Sequence, residues 1–385
     1  MSNHITEIEV KNFKKFDHLS VENIGQFNLI TGDNNVGKTT LLESLLIDEN
    51  VDYCIENLHR ILCNRLVHIH PKNIHSNNPV FPSDNYFDYL KNKNTINDIE
   101  FNWKNKNSVS FNYKFQDVRV NELNENDFQK EKKHNYKVGR PNLWIRIFKD
   151  GILDEIQFMY LDDFKRDLQY GYLPMIYKNT GFNLDVVQFY SEIIGLNEGE
   201  SLTAAFLSRY DTSGIKSLNY EQKVNFIKYL SLFYEDIEDI NIRDYRQIDI
   251  LCIKLKRFED YVPITFLGDG INEFIRYILE IQKCKDKHLM IDEVGTGIHH
   301  SKLAAFWKII LQVANNEDVQ LFATTHSQEC IDAFAKAADE LGEDFSNDIR
   351  LIELEESKKS GKIYASTFSY DNIKTGLISN YNFRG

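Results

Sequence analysis

The sequence predicts an α/β protein, and three segments predict it. The first is an apolar strand, Phe27-Asn28-Leu29-Ile30-Thr31, that runs into a glycine-rich turn and then a helix expected from about Lys38 to Leu46. The second is Lys287-His288-Leu289-Met290-Ile291, an apolar strand that stops at Asp292-Glu293. The third is Gln320-Leu321-Phe322-Ala323, which stops at Thr324-Thr325-His326-Ser327. Strand, glycine turn and helix in that order is how α/β nucleotide-binding units begin.

The remaining elements follow from periodicity. Ile5, Ile8 and Val10, with polar residues between them, alternate as a half-buried strand does. Ile99 to Phe115 and Trp144 to Phe158 also read as strands. Between them lie Lys130, Lys132, Lys133, Lys137 and Arg140, a basic run preceded by acids and read as a solvated loop. Leu184 to Ile240 reads as helices, with Val224, Ile227, Leu230, Leu232 and Phe233 at helical spacing, and strands return at Ile248 to Ile253. Ile349 to Leu354 and Ala365 to Phe368 read as a final strand pair. Three regions are expected: 1–165, a lobe with the glycine turn and an antiparallel β subdomain; 166–245, a largely helical insertion; and 246–385, a second lobe.

Composition bounds the function. A chain of 385 residues, 42% hydrophobic and 27% charged, reads as soluble and large enough for two or three domains. No apolar run approaches the roughly 20 residues of a membrane span, and no signal peptide is visible, so a cytoplasmic protein is expected. Cys54, Cys63, Cys252, Cys284 and Cys330 form no close pair, which argues against a disulfide framework or zinc ribbon. His68, His70 and His75 near Cys63 fit no standard metal spacing and read as loop histidines. The net charge of −13 repels nucleic acid on average, so direct DNA binding is not indicated.

The chemistry lies at the strand ends. Gly32-Asp33-Asn34-Asn35-Val36-Gly37-Lys38-Thr39, followed by Thr40, matches the phosphate-binding pattern G-x-x-x-x-G-K-[ST] in the context that pattern requires. Its glycines let backbone N–H groups close around phosphate oxygens at a helix N-terminus. Lys38 is expected on the β- and γ-phosphates and the Thr39 hydroxyl on Mg²⁺, so ATP and Mg²⁺ are the expected ligands. Asp292 would hold Mg²⁺ directly or through water, and Glu293 would polarise the attacking water; strand alternation would send the two acids to different jobs. His326 would hydrogen-bond the γ-phosphate or the water. Gly268-Asp269-Gly270 opens a helix running to about Ile281, and glycines ahead of a helix make an anion site.

In this order the segments resemble the ABC/SMC-type ATPase head, and more closely the stand-alone ATPases related to the overcoming-lysogenization-defect (OLD) proteins. Lys11-Asn12-Phe13-Lys14-Lys15-Phe16 resembles their opening N-F-[KR]-x-F. Ile291 to His300 resembles their I-D-E-x-x-x-G-[LI]-H, Ala323 to Cys330 their T-T-H-S-x-E-[CF], and Asn382-Phe383-Arg384-Gly385 their usual ending. The resemblance implies ATP sandwiched between two heads, hence a homodimer or higher oligomer. Gly268, Asp269 and Gly270 would then contact the partner's ATP, and Lys14 would stand near the nucleotide. It further implies a switch that controls a separate protein effector, a nuclease or toxin, as in the PARIS-type phage-defence systems. Two departures stand out. Asp269 occupies the place where ABC proteins put a serine, and a carboxylate beside phosphate is unfavourable unless turned away or hydrogen-bonded. The Q-loop glutamine has three candidates, Gln157, Gln169 and Gln188. The C-terminal Toprim nuclease of full-length OLD enzymes has no counterpart in the sequence, and no sustained heptads mark coiled-coil arms. A DNA-engaging ATPase of repair type and a module holding ATP as structure are the competing readings.

Overall fold

The computed structural model describes residues 4–47, 91–92, 98–118, 143–159, 220–245, 248–379 and 381–383. The centre is a five-stranded mixed sheet ordered β11-β12-β3-β13-β14, made of His288–Ile291 (β11), Gln320–Thr324 (β12), Phe27–Gly32 (β3), Ile349–Glu356 (β13) and Ile363–Ser369 (β14). The first four run parallel and β14 closes the edge antiparallel to β13. Every residue of β3 and β12 is buried, as expected for strands covered on both faces.

Period-2 alternation divides the core between those two faces. Leu29, Leu289, Ile291, Leu321, Ala323 and Leu351 face one core, shared with the helices Tyr220–Phe233 (α2), Asp269–Lys283 (α3), Leu303–Asn316 (α4) and Gln328–Leu341 (α5). Ile30, Met290, Phe322, Ile352 and Leu354 face the other. That second core holds the short helix Lys38–Ser44 (α1) and the inner face of a six-stranded antiparallel sheet. The sheet is ordered β2-β1-β4-β5-β6-β7, from Phe16–Val21, Ile5–Phe13, Ile99–Asn105, Ser110–Val118, Leu143–Lys149 and Ile152–Met159. Gln320 pins the two sheets together: its buried amide accepts from the Ile5 N–H at 2.8 Å and donates to Ile5 O at 2.7 Å and Gly25 O at 2.8 Å. These bonds replace water that the buried amide has lost, without which burial would be costly.

A third, antiparallel sheet, β10-β9-β8, comprises Tyr261–Pro263, Ile248–Leu255 and Ile237–Tyr245. Two short helices, Glu343–Asp348 (α6) and Tyr370–Ile378 (α7), complete the described α-helices, and Ile264–Leu267 and His300–Lys302 are 3-10 turns. The α/β class, the antiparallel subdomain and the final strand pair are as the sequence predicts. One reading is corrected: Ile237 to Ile240, taken as helix, belongs to strand β8. Ile237 and Ile240 are buried against the α2 core, and the register shift between Ile237 and Asp239 masks the two-residue period that would have marked a strand. Of the expected insertion at 166–245, only 220–245 is described; His68, His70, His75 and the basic run at 130–140 lie outside the described residues. No described helix is long and apolar enough to cross a membrane.

Candidate active site

The parallel order β11-β12-β3 brings the three polar strand ends to one edge of the sheet, the carboxyl ends where α/β proteins bind ligands. The glycine loop leaves β3 at Gly32, whose φ of 132° and place 2.3 Å from Leu354 O (measured from where a Cβ would lie) exclude any side chain. Asn35 is left-handed at φ 70°, and Gly37, at φ 105°, precedes α1 with the Phe16 ring 2.9 Å from a hypothetical Cβ. Val36 is buried and anchors the loop in the core, while Asn34 and Asn35 face outward. The chain reversal at Phe13-Lys14-Lys15-Phe16 therefore forms the floor of the loop. Lys14 is tied to Glu43 of α1 at 2.5 Å, and the exposed Lys15 ammonium donates to the Asn35 carbonyl. Lys14 thus stitches the reversal to α1.

Lys38 is buried, its ammonium donating to Gly32 O at 2.8 Å and Asp33 O at 3.1 Å along the inside of the loop. The Thr39 hydroxyl donates to Asp292 Oδ2 at 2.9 Å, and Thr40 is buried behind it. A hydroxyl and a carboxylate converging beside a phosphate loop are hard oxygen donors, the set magnesium takes alongside substrate phosphates.

Thr324 was not singled out in the sequence, yet it joins these groups. Its strand lies between the Asp292 strand and the glycine-loop strand. Its hydroxyl donates to Asp292 Oδ1 at 2.5 Å and accepts from the Glu293 N–H at 2.8 Å. The Thr-Thr-His triplet was visible, but the strand order that makes its first member the bridge was not.

Strand β11 ends at Ile291, so strand alternation does not separate the two acids, contrary to the sequence-based expectation. A left-handed turn does: Glu293 has φ 54°. For a non-glycine residue this conformation costs on the order of 1 kcal/mol. The Thr324 hydroxyl on its N–H, the Val294 N–H to Thr324 O at 2.9 Å and the Thr296 hydroxyl on its carbonyl at 2.8 Å hold it there. Asp292 turns to Thr39, whereas Glu293 turns to His326, with 2.8 Å between Glu293 Oε2 and His326 Nδ1. Both side chains are well exposed, 44% and 63%, so the pair opens to the surface. His326 meets the acid through Nδ1, which leaves Nε2 to face a phosphate or water.

Gly268 lies at φ 81° with no atom within 4 Å of a hypothetical Cβ, Asp269 begins α3, and Gly270 presses on the loop after Glu293, its hypothetical Cβ 2.8 Å from Gly297 O. Gln157 lies in β7; Gln169 and Gln188 fall outside the described residues.

Residues 27–332, most of the chain, match the family model described as "AAA domain, putative AbiEii toxin, Type IV TA system". The chain belongs to the AAA_21 family. It is a P-loop ATPase of that family, and the match spans the glycine loop, Asp292-Glu293 and His326 together. Over 397 aligned positions, 99% of this chain and 100% of the other, it is 24% identical to a Helicobacter pylori protein named "ATP/GTP phosphatase". A 43-residue stretch is 44% identical to the uncharacterized protein MJECL10 of Methanocaldococcus jannaschii, covering 11% of this chain and 20% of that one. Among solved structures, an SMC head bound to the C-terminal winged-helix domain of ScpA superimposes with a TM-score of 0.49 at 11% identity, covering 97% of this chain and 99% of that one. The SMC head of Thermotoga maritima gives 0.44 at 12% identity over 95% and 99%.

Thr324→Val tests the bridge in this AAA_21 protein. Valine keeps the buried volume and removes the oxygen that serves both Asp292 and the Glu293 N–H. Phosphate release is expected to fall roughly 10- to 100-fold, with ATP affinity within about threefold of wild type because Lys38 and the loop amides are untouched. Steady-state kinetics beside a nucleotide-binding titration checks it.

Proposed function

We propose that this chain hydrolyses Mg-ATP between paired heads and acts as a nucleotide switch on a separate protein effector in prokaryotic anti-phage defence. The observation that carries the hydrolytic part is the pair of contacts at the carboxyl end of the central sheet, Thr39 to Asp292 at 2.9 Å and Glu293 to His326 at 2.8 Å. Lys38 and the loop amides hold the phosphate chain. Thr39 and Asp292 would hold magnesium, which would supply charge neutralisation to the phosphates. Glu293 accepts a proton from water aligned on the γ-phosphate, and His326 keeps the carboxylate aimed there and presents Nε2 to the same space.

What supports pairing is the one-sidedness of the site. Glu293 and His326 are exposed, and Gly268 faces open space at the head of α3. A second copy would close that side, bringing Gly268, Asp269 and Gly270 to the opposite nucleotide. The family's description, which names a putative AbiEii toxin and a type IV toxin–antitoxin system, supports a place in a two-component toxin–antitoxin pair, and the −13 charge favours a protein over DNA as the partner. The H. pylori relative is named for both ATP and GTP, so each is to be assayed.

The test is mass spectrometry of what co-purifies from the native host with tagged Glu293→Gln protein in Mg-ATP. The expected result is a stoichiometric protein of nuclease or toxin type on a homo-oligomer of this chain. Co-purifying nucleic acid with no protein partner would overturn the switch in favour of a DNA-engaging ATPase.

A further inference from the structure

We infer that Glu353 of β13 is a positioning residue for the phosphate loop: a buried acid, tied to the C-terminal segment by Tyr381, that is uncharged when the loop takes nucleotide. This rests on the glycine loop being the nucleotide site. Glu353 is 1% exposed, and strand register sets it beside Thr31, the residue before Gly32. On the other side Thr324 pairs with Ile30, and the Thr325 N–H extends that ladder to Ile30 O at 3.0 Å, so Thr325 and Thr31 share a rung. Alternation turns the rung toward the core that holds Leu29, Ala323 and Leu351. Thr31 and Thr325 are buried as well. A polar rung therefore crosses three strands at the edge of an apolar core, one residue short of the glycine loop and of His326. Leu354, the residue after Glu353, supplies the carbonyl that excludes a side chain at Gly32.

The Tyr381 hydroxyl donates to Glu353 Oε2 at 3.2 Å, whereas Glu353 Oε1 and Thr31 Oγ1 meet no hydrogen-bonding partner among the described residues. A carboxylate oxygen buried without a donor is costly when charged and much less so when neutral. Burial holds the Glu353 carboxyl above the usual carboxylate range; Tyr381 opposes that shift and Glu355 of the same strand adds to it. Thr31 and Ser366, its neighbours on β3 and β14, carry no charge. Phosphates arriving at the loop bring like charge toward the rung and favour the neutral acid further. Because the folded value lies above the unfolded one, the stability this group contributes is fully present below the ordinary glutamate value of about 4.3 and is lost as pH rises from there through the folded value. At neutral pH the acid therefore weakens the fold, and a titratable group retained on those terms beside a ligand loop is a candidate for function. Tyr381 is itself held from behind. Its N–H donates to Gly376 O at 2.8 Å, and its ring packs on the buried Phe383, which sits so close to Gly376 that a Cβ there would lie 2.3 Å from the ring. Tyr381 is also exposed, so the tie runs from the surface to the phosphate loop.

The experiment is a titration of Mg-ATP affinity against pH, from about pH 5.5 to about pH 8, for wild type, Glu353→Gln and Tyr381→Phe. Glutamine keeps the shape of the acid and is neutral throughout. Wild-type affinity is expected to fall by roughly 3- to 10-fold more than that of Glu353→Gln across the range, and the nucleotide's own ionisation cancels in that comparison. The two should differ little in kcat at saturating Mg-ATP, within about twofold. Binding heats measured in two buffers of different ionisation enthalpy should show wild type taking up more protons than Glu353→Gln. The melting temperature of Glu353→Gln should exceed that of wild type by a margin that widens as pH rises. Tyr381→Phe removes the donor that favours the charged acid, so its fall in affinity should move to higher pH. A Glu353→Gln protein whose affinity follows pH as wild type's does, or that keeps its melting temperature yet binds no ATP at any pH, overturns the inference, as does a Tyr381→Phe course that superimposes on wild type. Undiminished ATP binding by Lys38→Ala would instead overturn the reading of the loop beneath it.

Discussion

Glu293→Gln is expected to keep ATP bound and to release phosphate roughly 10²- to 10⁴-fold more slowly than wild type. Glutamine preserves the side-chain shape and can still meet His326 Nδ1, so the loop and its left-handed turn should stand. What disappears is the carboxylate that accepts the proton of the attacking water. Lys38, Thr39 and Asp292 do not contact Glu293 through any bond the substitution breaks, so nucleotide affinity should change little. The check is single-turnover phosphate release from enzyme pre-loaded with Mg-ATP, beside the dissociation constant from a fluorescent-nucleotide titration. A large loss of affinity with little loss of rate would assign Glu293 to binding and move the chemistry elsewhere.

Lys38→Ala should produce the complementary failure, a loss of binding. The ammonium is buried inside the glycine loop and spends its hydrogen bonds on Gly32 O and Asp33 O, so phosphate oxygens can replace those carbonyls without the side chain travelling far. Charge-assisted bonds to phosphate are among the stronger polar contacts a protein makes. Their removal should weaken ATP by roughly 100-fold or more. Thermal unfolding reads this directly. At a nucleotide concentration near 100 times its dissociation constant the wild-type fold gains about 2.7 kcal/mol and melts higher. The variant should show no such shift, while its melting temperature without nucleotide should stay close to wild type.

How much of this was legible in the sequence differs from residue to residue. The glycine loop was fully legible because its constraints are local: positive-φ positions that suit glycine, a lysine and a threonine at fixed offsets, and strand and helix on either side. Asp292, Glu293 and His326 were legible as polar ends of apolar strands. Their division of labour was assigned to strand alternation, whereas it comes from one left-handed residue past the strand end, a backbone choice that no side-chain pattern announces. Thr324 was hidden because its role depends on β12 lying between β11 and β3, which is a property of topology. The same holds for Lys14 and Lys15: adjacent and chemically alike in the sequence, they part in the fold, one to Glu43 and the other to the Asn35 carbonyl. In β8 the buried isoleucines were legible as core, but the register shift obscured their period and a strand was read as helix.

The measurement that tests the central claim most directly is phosphate release by the purified wild-type chain with ATP, repeated after magnesium is removed by chelation. The account predicts turnover with magnesium, far above that of Glu293→Gln in the same preparation, and loss of that turnover on chelation with recovery on magnesium's return. Tight ATP binding without phosphate release under either condition, or release that Glu293→Gln leaves intact, would contradict it.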